Sequence, residues 1–121
     1  MTKVLVIDDE MDVRLLCRLN LKHASMRVRE AGSGESGLAA AWEDTPDVVI
    51  LDLMMPGMDG FDVLRTLRSD ERTSHVPVLV LSALTAESDR ARCRLLGANA
   101  FMSKPFFPGD LTEELTALLA A

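Results

Sequence analysis

The chain is 121 residues long, 48% hydrophobic and 26% charged, with a formal net charge of -6. That length suits a single domain able to bury roughly two thirds of its unfolded surface without staples, and the composition excludes a disordered or fibrous chain. The acidic balance, with no dense run of Lys or Arg, argues against direct nucleic-acid binding. The longest apolar runs, Val48 to Leu51 and Val76 to Leu81, are too short to span a bilayer.

In chain order, a β-branched run from Lys3 to Ile7 opens the pattern. An amphipathic helix follows, with Val13, Leu16, Cys17 and Leu21 on its apolar face. A second strand is expected from Met26 to Glu30, then a helix capped by Ser33 and running through Trp42. A third strand covers Val48 to Leu51, and Gly60 to Arg68 suits a third helix. A fourth strand runs from Val78 to Leu81, before a helix capped by Thr85 and stopping at Gly97. Ala100 to Ser103 forms the fifth strand. The last helix, with Leu111, Leu115, Leu118 and Leu119 on one face, begins either at Pro108 or through a capping box of Asp110 with Glu113.

This alternation predicts an α/β fold of (βα)5 type, a parallel sheet with helices on both faces. The first, third and fourth strands are nearly continuous apolar runs, as strands covered on both sides are. Residues 1–121 read as one domain with no internal linker or repeat, so any partner domain is expected to lie outside this chain. The start Met-Thr-Lys-Val leads straight into a strand pattern, and a cytoplasmic location is expected. Cys17 and Cys93 stand in neither a metal nor a redox spacing and are expected to be buried thiols.

The polar groups that carry chemistry follow the strands. Asp8, Asp9 and Glu10 come after the first, Asp52 after the third, Ser82 after the fourth and Lys104 after the fifth. In open parallel sheets ligands bind beyond the carboxyl ends of the strands. The second strand ends in Glu30-Ala31-Gly32, which offers no group to complete such a cluster and is expected to contribute nothing. Each of these residues viewed singly is a cap, a turn or a solvated charge; their joint placement at strand ends makes them a candidate site. Clustered carboxylates at about 4 Å cost on the order of 4 kcal/mol per pair at an effective dielectric near 20, so the cluster calls for a cation. All-oxygen ligands suit Mg2+, with Mn2+ as the other candidate. His23 and His75 have no evident partner; Arg14, Arg18 and Lys22 on the first helix, and Arg90 and Arg94 on the fourth, read as solvated faces.

Asp8-Asp9, the stretch Asp52-Leu-Met-Met-Pro-Gly-Met-Asp-Gly60, Ser82-Ala83, Phe101 and Lys104-Pro105-Phe106 together resemble the two-component response-regulator receiver family over essentially the whole chain. The resemblance implies a flavodoxin-like sheet of order 2-1-3-4-5, with its switch point between the first and third strands. It further implies that Asp52 accepts a phosphoryl group from a histidine kinase or histidine phosphotransfer protein. Asp8, Asp9, Asp52 and the backbone carbonyl of Met54 would hold the metal, while Ser82 and Lys104 would contact phosphoryl oxygens. The Lys104-Pro105 peptide is expected to be cis, and Ser82 with Phe101 to form the switch. Such a chain is a regulatory phosphoacceptor acting on itself, not an enzyme with a separate substrate. Its readers would be a downstream protein or a fused output domain meeting the face of the fourth helix, fifth strand and fifth helix, with no direct nucleic-acid or membrane contact. The alternative function is a metal-dependent phosphatase or phosphotransferase acting on small molecules, which needs a further carboxylate as acid/base.

Overall fold

The computed structural model describes residues 1–84 and 86–121. Its elements are β1 (Lys3–Ile7), α1 (Met11–His23), β2 (Arg27–Ala31), α2 (Gly34–Glu43), β3 (Val48–Leu51), α3 (Gly60–Ser69), β4 (Val78–Ser82), α4 (Glu87–Leu95), β5 (Ala100–Ser103) and α5 (Pro108–Ala120). The five strands form one parallel sheet in the order β2-β1-β3-β4-β5. Every residue of β3 and β4 is buried, whereas β2, an edge strand, exposes Arg27 and Arg29.

The period of two along a strand divides the core into two layers. Leu5, Ile7, Val49, Leu51, Val78 and Val80 pack with Leu38 and Ala41 of α2, Phe61, Leu64 and Leu67 of α3, and Cys93 of α4. Val4, Val6, Val48, Ile50, Leu79 and Leu81 pack with Cys17 and Leu21 of α1 and with Leu111 and Leu115 of α5. Both cysteines are free and buried. Among the described residues, no helix is long and apolar enough to cross a membrane.

Several boundaries differ from the expectations. β2 starts one residue later and ends on Ala31, because Ile7 finds its register partner there. Met26 instead closes the turn after α1, its N–H bonded to the Leu21 carbonyl. Leu16 is 40% exposed rather than buried. Val13, Cys17 and Leu21 make an i, i+4 stripe toward the sheet, and Leu16 lies about 100° around the helix from Cys17. Ser33 caps α2 through a reciprocal capping box with Ser36. Pro108 opens α5 and Phe107 is its N-cap, so the Asp110–Glu113 capping box does not form. The N-cap of α4 is Ala86; the expected cap, Thr85, lies outside the described residues.

Arg68 ties the lower end of the sheet together. Its guanidinium donates to the Gly97 carbonyl from Nε at 3.0 Å and Nη2 at 2.8 Å, to the Val76 carbonyl at 2.7 Å and to Asn99 Oδ1 at 2.9 Å. Asn99 Oδ1 in turn accepts from the Val78 N–H at 2.8 Å. Gly97 sits at φ +100, a backbone state L side chains rarely adopt, and a Cβ there would lie 2.8 Å from Arg68 Nε. One side chain therefore joins the end of α3, the approach to β4 and the approach to β5. Arg68→Met is expected to lower the unfolding free energy by about 2–4 kcal/mol, since it leaves several part-buried carbonyls unpaired. Urea unfolding measures this; a loss within about 0.5 kcal/mol, the range of an ordinary surface substitution, would show that water replaces the guanidinium.

Candidate functional site

The sheet itself delivers the acids. The Asp8 N–H donates to the Ala31 carbonyl at 3.1 Å, and the Asp52 N–H donates to the Ile7 carbonyl at 3.0 Å. Each bond carries a strand ladder one step past the last strand residue, so both side chains leave the sheet from fixed backbone. Asp8 is 2% exposed and Asp52 3%. Gly60 lets α3 press on this backbone: a Cβ there would lie 2.2 Å from the Asp52 carbonyl oxygen. On the other side, the Lys104 N–H donates to the Ser82 carbonyl at 2.9 Å, and the Lys104-Pro105 peptide is cis, as expected.

Carboxylate oxygens of Asp8, Asp9, Glu10 and Asp52 lie within 4.8 Å of one another. The Lys104 ammonium stands 2.8 Å from Asp8 Oδ2, 3.0 Å from Glu10 Oε1 and 3.5 Å from Asp52 Oδ2. Asp8 Oδ1 accepts from the Glu10 N–H at 2.9 Å, and Asp52 Oδ1 from the Met54 N–H at 3.3 Å. One ammonium thus faces four carboxylates, two of them withdrawn from water. Burial and the Asp8 carboxylate push the Asp52 carboxyl up to about 6, against the pull of Lys104. Burial also raises Asp8, although its bond to Lys104 opposes the shift. Burial works to lower Lys104, yet its bonds to Asp8 and Glu10 leave it above the usual lysine range. The excess of negative charge and the all-oxygen donor set fit a hard divalent cation such as Mg2+ or Mn2+.

Beside this pocket, Ser82 is fully buried, and its Oγ accepts from the Leu84 N–H at 3.1 Å. That bond uses a lone pair and leaves the hydroxyl proton free to donate. Val80 pairs in register with Phe101 and Ser82 with Ser103, so all four side chains share one face of the sheet. Arg90 of α4 lies across that face. Its guanidinium carbon is 4.6 Å from the Phe101 ring centroid, and Nη2 donates to Ser103 Oγ at 3.0 Å.

The structure brings together Asp8, Asp9, Asp52 and Lys104, with Ser82 at the adjoining strand end and Phe101 one register step behind it. Met54 adjoins through its N–H, while its side chain is exposed. Three features go beyond the roles the sequence assigned. Glu10 joins the cluster as a fourth carboxylate and a direct partner of Lys104, a role its place beside Asp8-Asp9 hints at. Arg90 is not a solvated residue, and no spacing in the sequence announces its pairing with β5. The end of β2 also has a part: Glu30 pairs with Arg14, whose guanidinium bonds the Asp8 carbonyl.

Residues 4–116 match the response regulator receiver domain model. The transcriptional regulator RpaA of Synechocystis is 40% identical over 98% of this chain and 49% of its own length. The KDP operon transcriptional regulatory protein KdpE of Escherichia coli is 42% identical over 98% of the chain and 52% of its own length. The chain thus spans about half the length of these two relatives. The structure of the Vibrio cholerae chemotaxis protein CheY4 superposes with a TM-score of 0.93 at 31% identity, covering 98% of each chain.

The Asp52 shift has a consequence for stability. A carboxyl raised from 3.8 to about 6 in the folded chain favours folding below its unfolded value, and that contribution is lost as pH rises through about 6. Asp8 shifts the same way, whereas Asp44 and Asp70 are lowered and act only as pH falls below about 4. Without divalent cations the chain is therefore expected to unfold more readily at about pH 7.5 than at about pH 5. Asp52→Asn should remove about 1.4 kcal/mol of that difference, because only about one pH unit of the shifted range lies between pH 5 and the folded value of about 6. Denaturant unfolding of both proteins at the two pH values checks this, and an identical pH dependence would contradict it.

Proposed function

Because the chain belongs to the response regulator receiver family, whose members are two-component phosphoacceptors, we propose that Asp52 is the residue that takes the phosphoryl group. The observation that carries this reading is the Asp52 carboxylate itself, 3% exposed at the end of β3 with an ammonium 3.5 Å away. As a nucleophile, an Asp52 oxygen forms the new P–O bond while the P–N bond of a donor phosphohistidine breaks, leaving an acyl phosphate and a histidine imidazole. Asp52 attacks in its ionised form, and at about 6 its carboxyl is largely ionised above neutral pH.

Asp8, Asp9, Asp52 and the Met54 carbonyl would hold Mg2+ or Mn2+, and the bound ion would offset charge on the phosphoryl oxygens. Lys104 supplies the fixed positive charge on the other side: it exchanges part of its contact with Asp52 for a phosphoryl oxygen while Asp8 and Glu10 keep it in place. The Ser82 hydroxyl donates its free proton to a further oxygen. Its turn toward the phosphoryl group vacates space on the face it shares with Phe101, and the ring moves inward, leaving Arg90. This alters the surface of α4 and β5 that a reader meets.

The partners follow from that role. A histidine kinase or histidine phosphotransfer protein supplies the phosphoryl group in the cytoplasm, and a downstream protein or fused output domain reads the altered face. The chain catalyses only its own phosphorylation and dephosphorylation. A metal-dependent phosphatase acting on small molecules is not favoured, since the chain matches regulators. Acetyl phosphate with Mg2+ is expected to label the chain to about one phosphoryl group, as a single acceptor allows. Asp52→Asn, or chelation of the divalent ion, should reduce labelling to background. Full labelling of the Asp52→Asn variant would overturn the assignment, and many turnovers of a phosphomonoester would favour the phosphatase.

A further inference from the structure

Arg14 stands on the first turns of α1, four residues before Arg18 and eight before Lys22, where a solvated side chain is the plain expectation. Its side chain is 16% exposed. Nη1 reaches back over the start of the helix and donates to the carbonyl oxygen of Asp8 at 2.7 Å. Nε lies 3.4 Å from Glu30 Oε1, and the second oxygen of Glu30 takes Arg18 Nη1 at 2.8 Å. Gly32 leaves room for the group, since a Cβ there would lie 3.3 Å from Arg14 Nη1.

Both peptide groups of Asp8 are therefore tied to the edge strand. The N–H bonds the Ala31 carbonyl directly, and the carbonyl reaches Glu30 through Arg14. A peptide unit is planar, so holding the Asp8 carbonyl oxygen also sets the Asp9 N–H and the direction in which the Asp9 Cα leaves. This matters most for Asp9, which is exposed. Asp8 gains further order from the Glu10 N–H on its Oδ1.

We propose that Arg14 is a positioning residue for the divalent cation: with Glu30 as its support, it holds the Asp8–Asp9 peptide so that both carboxylates address one point. This rests on the reading of the acidic pocket as a cation site. Electrostatics alone makes the opposite prediction. Arg14 is itself a cation near the cluster, so deleting its charge would by Coulomb's law strengthen binding of a second cation. Positioning predicts that deletion weakens it. The sign of the effect separates the two.

Mn2+ binding to the full chain, followed through the electron paramagnetic resonance signal of the free ion, reads the effect without any phosphoryl chemistry. Arg14→Met is expected to weaken Mn2+ binding about tenfold, equivalent to about 1.4 kcal/mol. Glu30→Gln should weaken it about twofold to threefold, and the double variant should bind no worse than Arg14→Met alone, because Glu30 acts through Arg14. Unchanged or tighter binding by Arg14→Met overturns the proposal, as do additive losses in the double variant. Should Arg14→Met fail to fold, Arg14→Lys decides, since it keeps the charge but lacks the planar fork that bonds the Asp8 carbonyl and Glu30 together: weakened binding supports the proposal and unchanged binding overturns it. Absence of Mn2+ binding by the unaltered chain would overturn the cation-site reading and this proposal with it, whereas normal binding there with no effect of Arg14→Met overturns this proposal alone.

Discussion

Asp8 and Asp52 are carboxylates held almost entirely out of water, in a cluster where a single ammonium must answer for four acids. The hydrogen-bond ladders of β1 with β2 and of β3 with β1 impose this placement, because each aspartate continues a ladder beyond its strand. The core fixes the sheet and the sheet fixes the acids, so the charges cannot move apart to relieve their repulsion. Relief must come from a proton, a cation or a redistribution of Lys104, and the raised Asp52 carboxyl expresses the first of these. The same pocket holds a buried carboxylate, a fixed ammonium and, at the adjoining strand end, a buried hydroxyl, the groups on which the proposed phosphoryl acceptance rests.

Much of this was legible in the sequence because it is local or periodic. Continuous apolar runs marked β1, β3 and β4, and the groups placed after them arrived at the carboxyl ends of the strands. Ser33 before α2 and Pro108 at the start of α5 announced two helix starts in their immediate neighbourhood. What could not be read depends on long-range geometry. Arg68 joins segments 29 residues apart, Arg90 meets Ser103 across 13 residues, and neither spacing carries a signal in one dimension. The reading of Leu16 failed for a different cause: the apolar stripe of α1 is narrower than its leucine content suggests, leaving Leu15, Leu16 and Leu19 outside it.

The arginines illustrate how an acidic protein spends its few cations. Arg14 and Arg90, which read as solvated faces in the sequence, are structural, as is Arg68: Arg68 gathers backbone carbonyls, Arg90 covers Phe101, and Arg14 ties the pocket to the edge strand. Arg92 over the Phe61 ring, at 3.9 Å, links α4 to α3 in the same manner. The guanidinium suits these tasks because its planar fork donates in several directions and stacks on a ring face. Ser82 and Phe101 share one face of the sheet beside the pocket, and Arg90 of α4 covers the Phe101 ring.

Among the nineteen acidic side chains, Asp52 is the one we propose receives a phosphoryl group, because this set of charges is confined around it. Borohydride reduction converts an aspartyl phosphate to homoserine, and tandem mass spectrometry of the digested chain locates it. After treatment with acetyl phosphate and Mg2+, homoserine is expected at position 52 and nowhere else. Homoserine at any other aspartate, with Asp52 intact, would contradict it.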